Sequence, residues 1–204
     1  MSTSATYTEA AGVVADLVTR IDDDRWDAPG LGVWDVRALV GHTSRAMVTV
    51  LTYVERPAAS EQITSPEDYY ALMSSATGEG VDQSAVAERG RQAGTALGDA
   101  PATAFRDLVD RVVARLADAD PDALIETIAG GMRLDAYLPT RTVELVVHGS
   151  DIARATGLDV AFPTTALTDS AAVLARTGVV LGHGPALLDA LTGRASLPPG
   201  FTVV

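Results

Sequence analysis

The chain predicts an all-α fold, an antiparallel four-helix bundle with accessory helices and a small β-hairpin. Apolar residues recur at three- and four-residue spacing in several long stretches. Proline, glycine or clustered aspartate punctuates those stretches where helices stop. One short segment breaks the helical period and alternates around a Gly-Gly pair.

The first helix shows Val13, Val14, Leu17, Val18 and Ile21 on one face, and Asp22-Asp23-Asp24 ends it before Pro29-Gly30. The second begins near Asp35, whose carboxylate suits the free amides of a helix start. It carries Val36, Leu39, Val40, Thr43, Met47, Val50, Leu51 and Val54 inward until Pro57. A short helix follows Pro66, and Gly78-Glu79-Gly80 reads as a mobile connection. Residues 81–97 read as helical, although Gly90 and Gly94 each weaken it by about 1 kcal/mol relative to alanine unless they permit close packing. Pro101 suits the first turn of the next helix, which presents Phe105, Leu108, Val109, Val112, Val113 and Leu116 before Asp118-Ala-Asp-Pro121. Residues 124–134, with Gly130-Gly131, read as the hairpin. A helix then runs from about Pro139 to Thr156, with Gly157 as its stop. Residues 164–182 and 185–192 read as two more helices, and the tail 193–204 as extended. The expected organisation is one domain over 1–204, with a core bundle over about 7–157 and a helical extension over 158–204.

Composition narrows the function classes. The 204 residues, 47% hydrophobic and 21% charged, suffice for one well-buried domain. A net charge of −12, with fifteen arginines scattered and no lysine, argues against a nucleic-acid partner, because phosphate binding needs clustered positive charge. No apolar run reaches the roughly 18 residues of a membrane span, and residues 1–7 lack the features of a leader, so a cytoplasmic protein is expected. Cysteine is absent, which excludes a disulfide framework, a thiolate metal site and an intrinsic cysteine nucleophile. Any sulfur chemistry needs a thiol from outside.

The chemistry-bearing feature is Glu144-x-x-x-His148. At about 100° per residue, Arg141, Glu144, Leu145, His148, Asp151 and Ile152 share one stripe of the clip-bearing helix. The carboxylate and the imidazole therefore point the same way, as a two-ligand clip for a divalent metal. His42, on the second helix and about 60° from Leu39, flanks the buried face and is the candidate third ligand. A His/Glu/His set leaves a coordination position open for water or substrate. Spacing alone equally describes a solvated or ion-paired helix face. Asp151 is placed to orient a ligand or substrate group, or to cap or pair with an arginine. Arg141, one turn before Glu144, either pairs with an acidic residue or meets an anionic substrate. Gly149, beside His148, permits close approach of a ligand or of another helix. His183 reads as a loop residue between two helices, and Trp26 and Trp34 as packing anchors outside the site.

The segments Trp34-Asp-Val-Arg-Ala-Leu-Val-Gly-His42 and Arg141-Thr-Val-Glu-Leu-Val-Val-His-Gly-Ser-Asp-Ile-Ala153 resemble the mycothiol-dependent maleylpyruvate isomerase N-terminal family, part of the DinB-like superfamily of metal-binding four-helix bundles. There a tryptophan-led segment ends in a histidine on the second helix, and a later helix reads Glu-x-x-x-His, a small residue, then Asp. The resemblance implies metal ligands at His42, Glu144 and His148, zinc or another divalent ion as the metal, and mycothiol as thiol cosubstrate. The full isomerases carry a separate α/β domain for which residues 158–204 are too few, so the maleylpyruvate substrate does not carry over with the metal site. The expected activity is addition of an activated low-molecular-weight thiol to a small-molecule electrophile, giving isomerisation or S-transfer. The competing readings are a metal-dependent, thiol-independent hydrolase or lyase and a non-catalytic small-molecule-binding protein. Monomer and homodimer both fit.

Overall fold

The computed structural model describes residues 2–76 and 83–204. Four helices form the core bundle: α1 (Thr3–Val18), α2 (Val36–Tyr53), α5 (Pro101–Ala117) and α6 (Leu134–Thr156). Each of α1 and α2 packs against both α5 and α6, which closes the ring. Around it, α3 (Pro66–Ala76) packs on α6 and α7, α4 (Gln83–Ala96) on α2, α7 (Thr164–Val180) on α6, and α8 (Gly184–Leu191) on α7. The all-α antiparallel bundle is thus the observed fold. The expected connection at Gly78–Gly80 lies outside the described residues.

Capping sets the starts of the first two helices. The Ser2 hydroxyl accepts from the Ala5 amide at 3.2 Å, which starts α1 a full turn before Tyr7. Its end at Val18 leaves Ile21 buried beyond the helix, ahead of a 3₁₀ turn at Asp23–Arg25. Asp35 accepts from the Ala38 amide at 2.7 Å and fixes where α2 begins. Pro101 occupies the first turn of α5.

The clip-bearing helix is longer than the sequence suggested. α6 begins at Leu134, not near Pro139, because Leu134, Tyr137 and Leu138 are buried and gain by entering the bundle. Pro139 is accommodated inside the helix, where its missing amide removes one bond of the ladder. Gly157 ends α6 in the left-handed conformation, φ 73°, and its amide closes on the Ala153 carbonyl.

The hairpin forms from β1 (Leu124–Thr127) and β2 (Gly130–Arg133), antiparallel, with Ile125 opposite Met132. Both side chains are buried. The segment after α2 runs alongside, with the Ala58 amide donating to Leu124 O and the Gln62 amide to Gly131 O. Residues 193–204 form no regular element, in line with an extended tail.

The two glycines that weaken α4 on propensity serve its packing. A Cβ at Gly41 of α2 would lie 2.1 Å from the Gly94 backbone nitrogen, and one at Gly94 would lie 2.7 Å from Arg37 O. The helices cross backbone to backbone, which only glycine permits at that separation. Gly90 similarly accommodates the Trp34 indole, whose Nε1 donates to Ala87 O at 3.0 Å. This contact places the start of α2, and with it His42, against α4. Among the described residues no helix is long and apolar enough to cross a membrane.

Candidate metal centre

His42 projects from the middle of α2, and Glu144 and His148 from successive turns of α6, two helices that pack directly on one another. One ligand atom from each lies within 4.8 Å of the other two, and all three residues are partly buried. The His148 Nε2 to Glu144 Oε2 distance is 3.3 Å. Ligands about 2.0–2.1 Å from a zinc ion stand about 3.3 Å apart at the corners of a tetrahedron, so this pair already has the spacing of two ligands on one ion.

Each candidate ligand is held from behind. Asp151 Oδ2 accepts from His148 Nδ1 at 3.2 Å, which leaves Nε2 as the nitrogen that faces Glu144. Asp151 is itself engaged by Arg154, so it both orients the imidazole and pairs with an arginine. The Tyr70 hydroxyl lies 2.8 Å from Thr140 O and 3.1 Å from Glu144 Oε1, and its single proton serves one or the other. Glu144 thus keeps Oε2 turned to His148. The His42 ring lies against the Trp34 indole, centroids 4.6 Å apart at 31°, and meets His148 edge-on at 4.8 Å. His42 Nδ1 is buried without a hydrogen-bond partner among the described residues. Such a nitrogen is costly unless a cation or a solvent proton meets it.

The electrostatics separate the two imidazoles. Burial, with the neighbouring charge of His148, pushes His42 down to about 4, so it is neutral and carries a free lone pair at physiological pH. Burial also disfavours charge on His148, but its hydrogen bonds to Asp151 and Glu144 overcome that and lift it to about 9. Burial alone would raise Glu144, yet the His148 hydrogen bond and the Arg141 charge hold it down to about 2. Two carboxylates therefore surround one histidine, and the cluster stabilises a positive charge at the point where Nε2 meets Oε2. Two nitrogens and a carboxylate oxygen suit zinc and several other divalent transition metals.

His42 and Glu144 open onto a cavity of about 320 Å³ between α2, α3, α4 and α6. Arg45, Arg89 and Arg141 line it, with Tyr69, Tyr70 and Met73. Arg141 is 9% exposed, its guanidinium lies over the rings of Tyr137 and Tyr69 at 5.1 and 5.6 Å, and its Nε donates to Thr140 Oγ1 at 3.0 Å. Among the described residues no acidic side chain lies within ion-pair distance of these three guanidinium groups. In a chain of net charge −12 this is a local concentration of positive charge, open to an anion.

The structure brings His42, Arg141, Glu144, His148 and Asp151 to one place. Gly149 is explained by packing: a Cβ there would lie 2.7 Å from Phe162 Cζ and 3.0 Å from Val14 Cγ2. His183 lies apart, at the start of α8, its ring 5.2 Å from that of Phe201. Trp26 is buried in the core. Trp34, set aside in the sequence as a packing anchor, packs on the candidate ligand His42 itself. Tyr70 was not distinguished by sequence, since a tyrosine in the Tyr69-Tyr70 pair of α3 shows no spacing relation to Glu144, 74 residues away.

Residues 7–153 match the family described as mycothiol maleylpyruvate isomerase N-terminal domain, a stretch that contains all three candidate ligands. No curated protein and no solved structure matches the chain.

Proposed function

The chain belongs to the mycothiol maleylpyruvate isomerase N-terminal domain family, and from that premise we propose that it is a metal-dependent enzyme that activates a low-molecular-weight thiol for addition to a small anionic electrophile. The observation that carries this reading is the convergence of His42, Glu144 and His148, the first two of which line an arginine-bearing cavity. Zinc is the metal we favour and mycothiol the thiol, in a cytoplasmic setting. A divalent cation held by these three side chains supplies Lewis acidity, which lowers the pKa of a thiol or water beside it.

The chain's own residues do the rest. Asp151 keeps the proton of His148 on Nδ1 and so presents the Nε2 lone pair, while Tyr70 and Trp34 restrict Glu144 and His42 to the orientations in which they converge. Arg141, fixed between Tyr69 and Tyr137, and Arg45 bind carboxylate groups of the electrophile and set its reactive carbon toward the ligands. With no cysteine in the chain, the sulfur is supplied by the cosubstrate, whose thiolate is the nucleophilic form. Its sulfur forms a bond to one carbon of a conjugated double bond, and the electron pair moves onto the conjugated carbonyl. The remaining single bond rotates, and expulsion of the thiolate restores the double bond in the trans form. Where protonation of the adduct outruns expulsion, the same addition is an S-transfer.

The test is consumption of a maleyl electrophile by protein loaded with one equivalent of zinc, with and without mycothiol. Turnover that needs both supports the proposal. Turnover that needs zinc but is indifferent to thiol would move the reading to metal-activated water, and turnover that needs neither removes it.

A further inference from the structure

We propose that the face formed by α7, α8 and the C-terminal tail is the surface through which two copies of this chain associate. The α7 helix carries two apolar stripes. Ala166, Ser170, Val173 and Thr177 form the inner one and are buried. Leu167, Ala171, Leu174 and Gly178 form a second, rotated by about 100°: Leu167 and Ala171 are exposed, Leu174 is half-buried, and Gly178 is buried under α8 and the tail. Leu167 at its head is 47% exposed. The apolar positions of this stripe that the chain leaves exposed are the kind of surface that meets a partner.

The neighbouring elements extend this face without closing it. A Cβ at Gly178 would lie 2.4 Å from Leu187 Cδ1 and 3.2 Å from Val203 Cγ1, so α8 and the tail sit close against α7. Between them lies a groove of about 520 Å³ whose lining includes Val147, Leu174, Leu187, Leu191, Phe201 and Val203. No residue of α8 is buried, and its Leu188 and Leu191 are 65% and 77% exposed. Val179 and Val180, at the end of α7, are exposed as well.

Charge identifies the occupant. Residues 164–204 contain two of the 27 acidic and two of the 15 basic residues, so the whole net charge of −12 resides on residues 1–163. Two copies approaching through the surface built by residues 1–163 meet, on balance, net negative charge on both sides, whereas residues 164–204 are neutral on balance and this face is apolar. It offers too little positive charge for an anionic membrane or a nucleic acid. It also carries a groove and protruding leucines side by side, the self-complementary arrangement that a two-fold axis requires. Val204 borders both this groove and the cavity that His42 and Glu144 line, so association here would place the interface beside the candidate site.

Sedimentation equilibrium of the full chain up to about 100 µM tests the inference. The expected species has twice the 21.1 kDa chain mass, and its Kd falls severalfold between low and high salt as the charge on the two bodies is screened. Leu191→Asp and Leu188→Asp, both at exposed positions, raise Kd by about 30-fold or more, with far-UV circular dichroism and melting unchanged. Ile128→Asp, an equally apolar and exposed position on the hairpin turn, leaves the dimer intact. A chain that stays monomeric, or a dimer indifferent to both aspartates, overturns the inference. So does a monomer that binds the apolar dye 1-anilinonaphthalene-8-sulfonate in this groove and loses it in the same variants, which would mark a small-molecule site.

Discussion

Metal capture at the His42/Glu144/His148 cluster is expected to displace a proton, and the pH dependence of affinity would follow from which ligand carries it. His42, held down to about 4, is neutral above pH 5, and Glu144, held down to about 2, is ionised. His148, lifted to about 9 by Asp151 and Glu144, is protonated at pH 7 and must release the proton from Nε2 before that nitrogen can bind a cation. Two pH units below its pKa, roughly one chain in a hundred has the nitrogen free, so zinc affinity at pH 7 lies about 100-fold, or about 2.7 kcal/mol, below its limiting value. Affinity therefore rises about tenfold per pH unit from 6 to 8 and levels off above 9. Competition with a chelating dye reads the slope, and calorimetry in buffers of different ionisation heat reads the proton count, expected near one per zinc. A flat profile from pH 6 to 8 refutes the reasoning. A two-proton slope in that range refutes the assignment of His42 as neutral.

Other perturbations have signs set by the same geometry. The metal-free fold is stabilised by His148 below its ordinary pKa, and because the folded-state value is raised, that contribution is lost as pH climbs toward 9; the melting temperature of chelated protein should fall over pH 7–9, and His148→Ala should flatten that fall. Asp151→Asn removes the charge behind His148 and should weaken zinc binding about 10- to 100-fold above pH 9, where the proton on His148 no longer competes, with the helix content intact, as measured by dye competition. Tyr70→Phe deletes a phenol proton shared between Thr140 O and Glu144 Oε1 and should cost about 1.5–3 kcal/mol in metal affinity or stability, separable by titration and thermal melting. Gly41→Ala places a methyl against the Gly94 backbone and should destabilise the fold by about 1–3 kcal/mol or more, since neither helix backbone can retreat without opening the bundle.

Much of this was legible in the chain because helix geometry is regular. Glu144 and His148 are four residues apart, and the helical geometry of α6 brings that spacing to a 3.3 Å contact. Asp151 is likewise a local inference, three residues from the imidazole it holds. Asp35 and Pro101 announced the starts of α2 and α5 through the amide chemistry of a first turn. What was illegible depends on contacts between distant segments. The early start of α6 comes from burial of Leu134, Tyr137 and Leu138, which outweighs the missing amide of Pro139. The value of Gly41 and Gly94 lies in one crossing, and only a three-dimensional arrangement distinguishes that from two helix-weakening residues. Tyr70, Trp34, Arg45 and Arg89 come from α3, the segment before α2, α2 and α4, and no spacing rule relates them to the clip, whereas Arg141 shares its stripe of α6.

The most direct measurement is the zinc content of the purified, zinc-loaded and desalted chain, determined by elemental analysis beside His42→Ala and His148→Ala handled identically. The account predicts one ion per wild-type chain and almost none in either variant, with circular dichroism showing all three folded. A wild-type chain that retains no more zinc than the variants contradicts it.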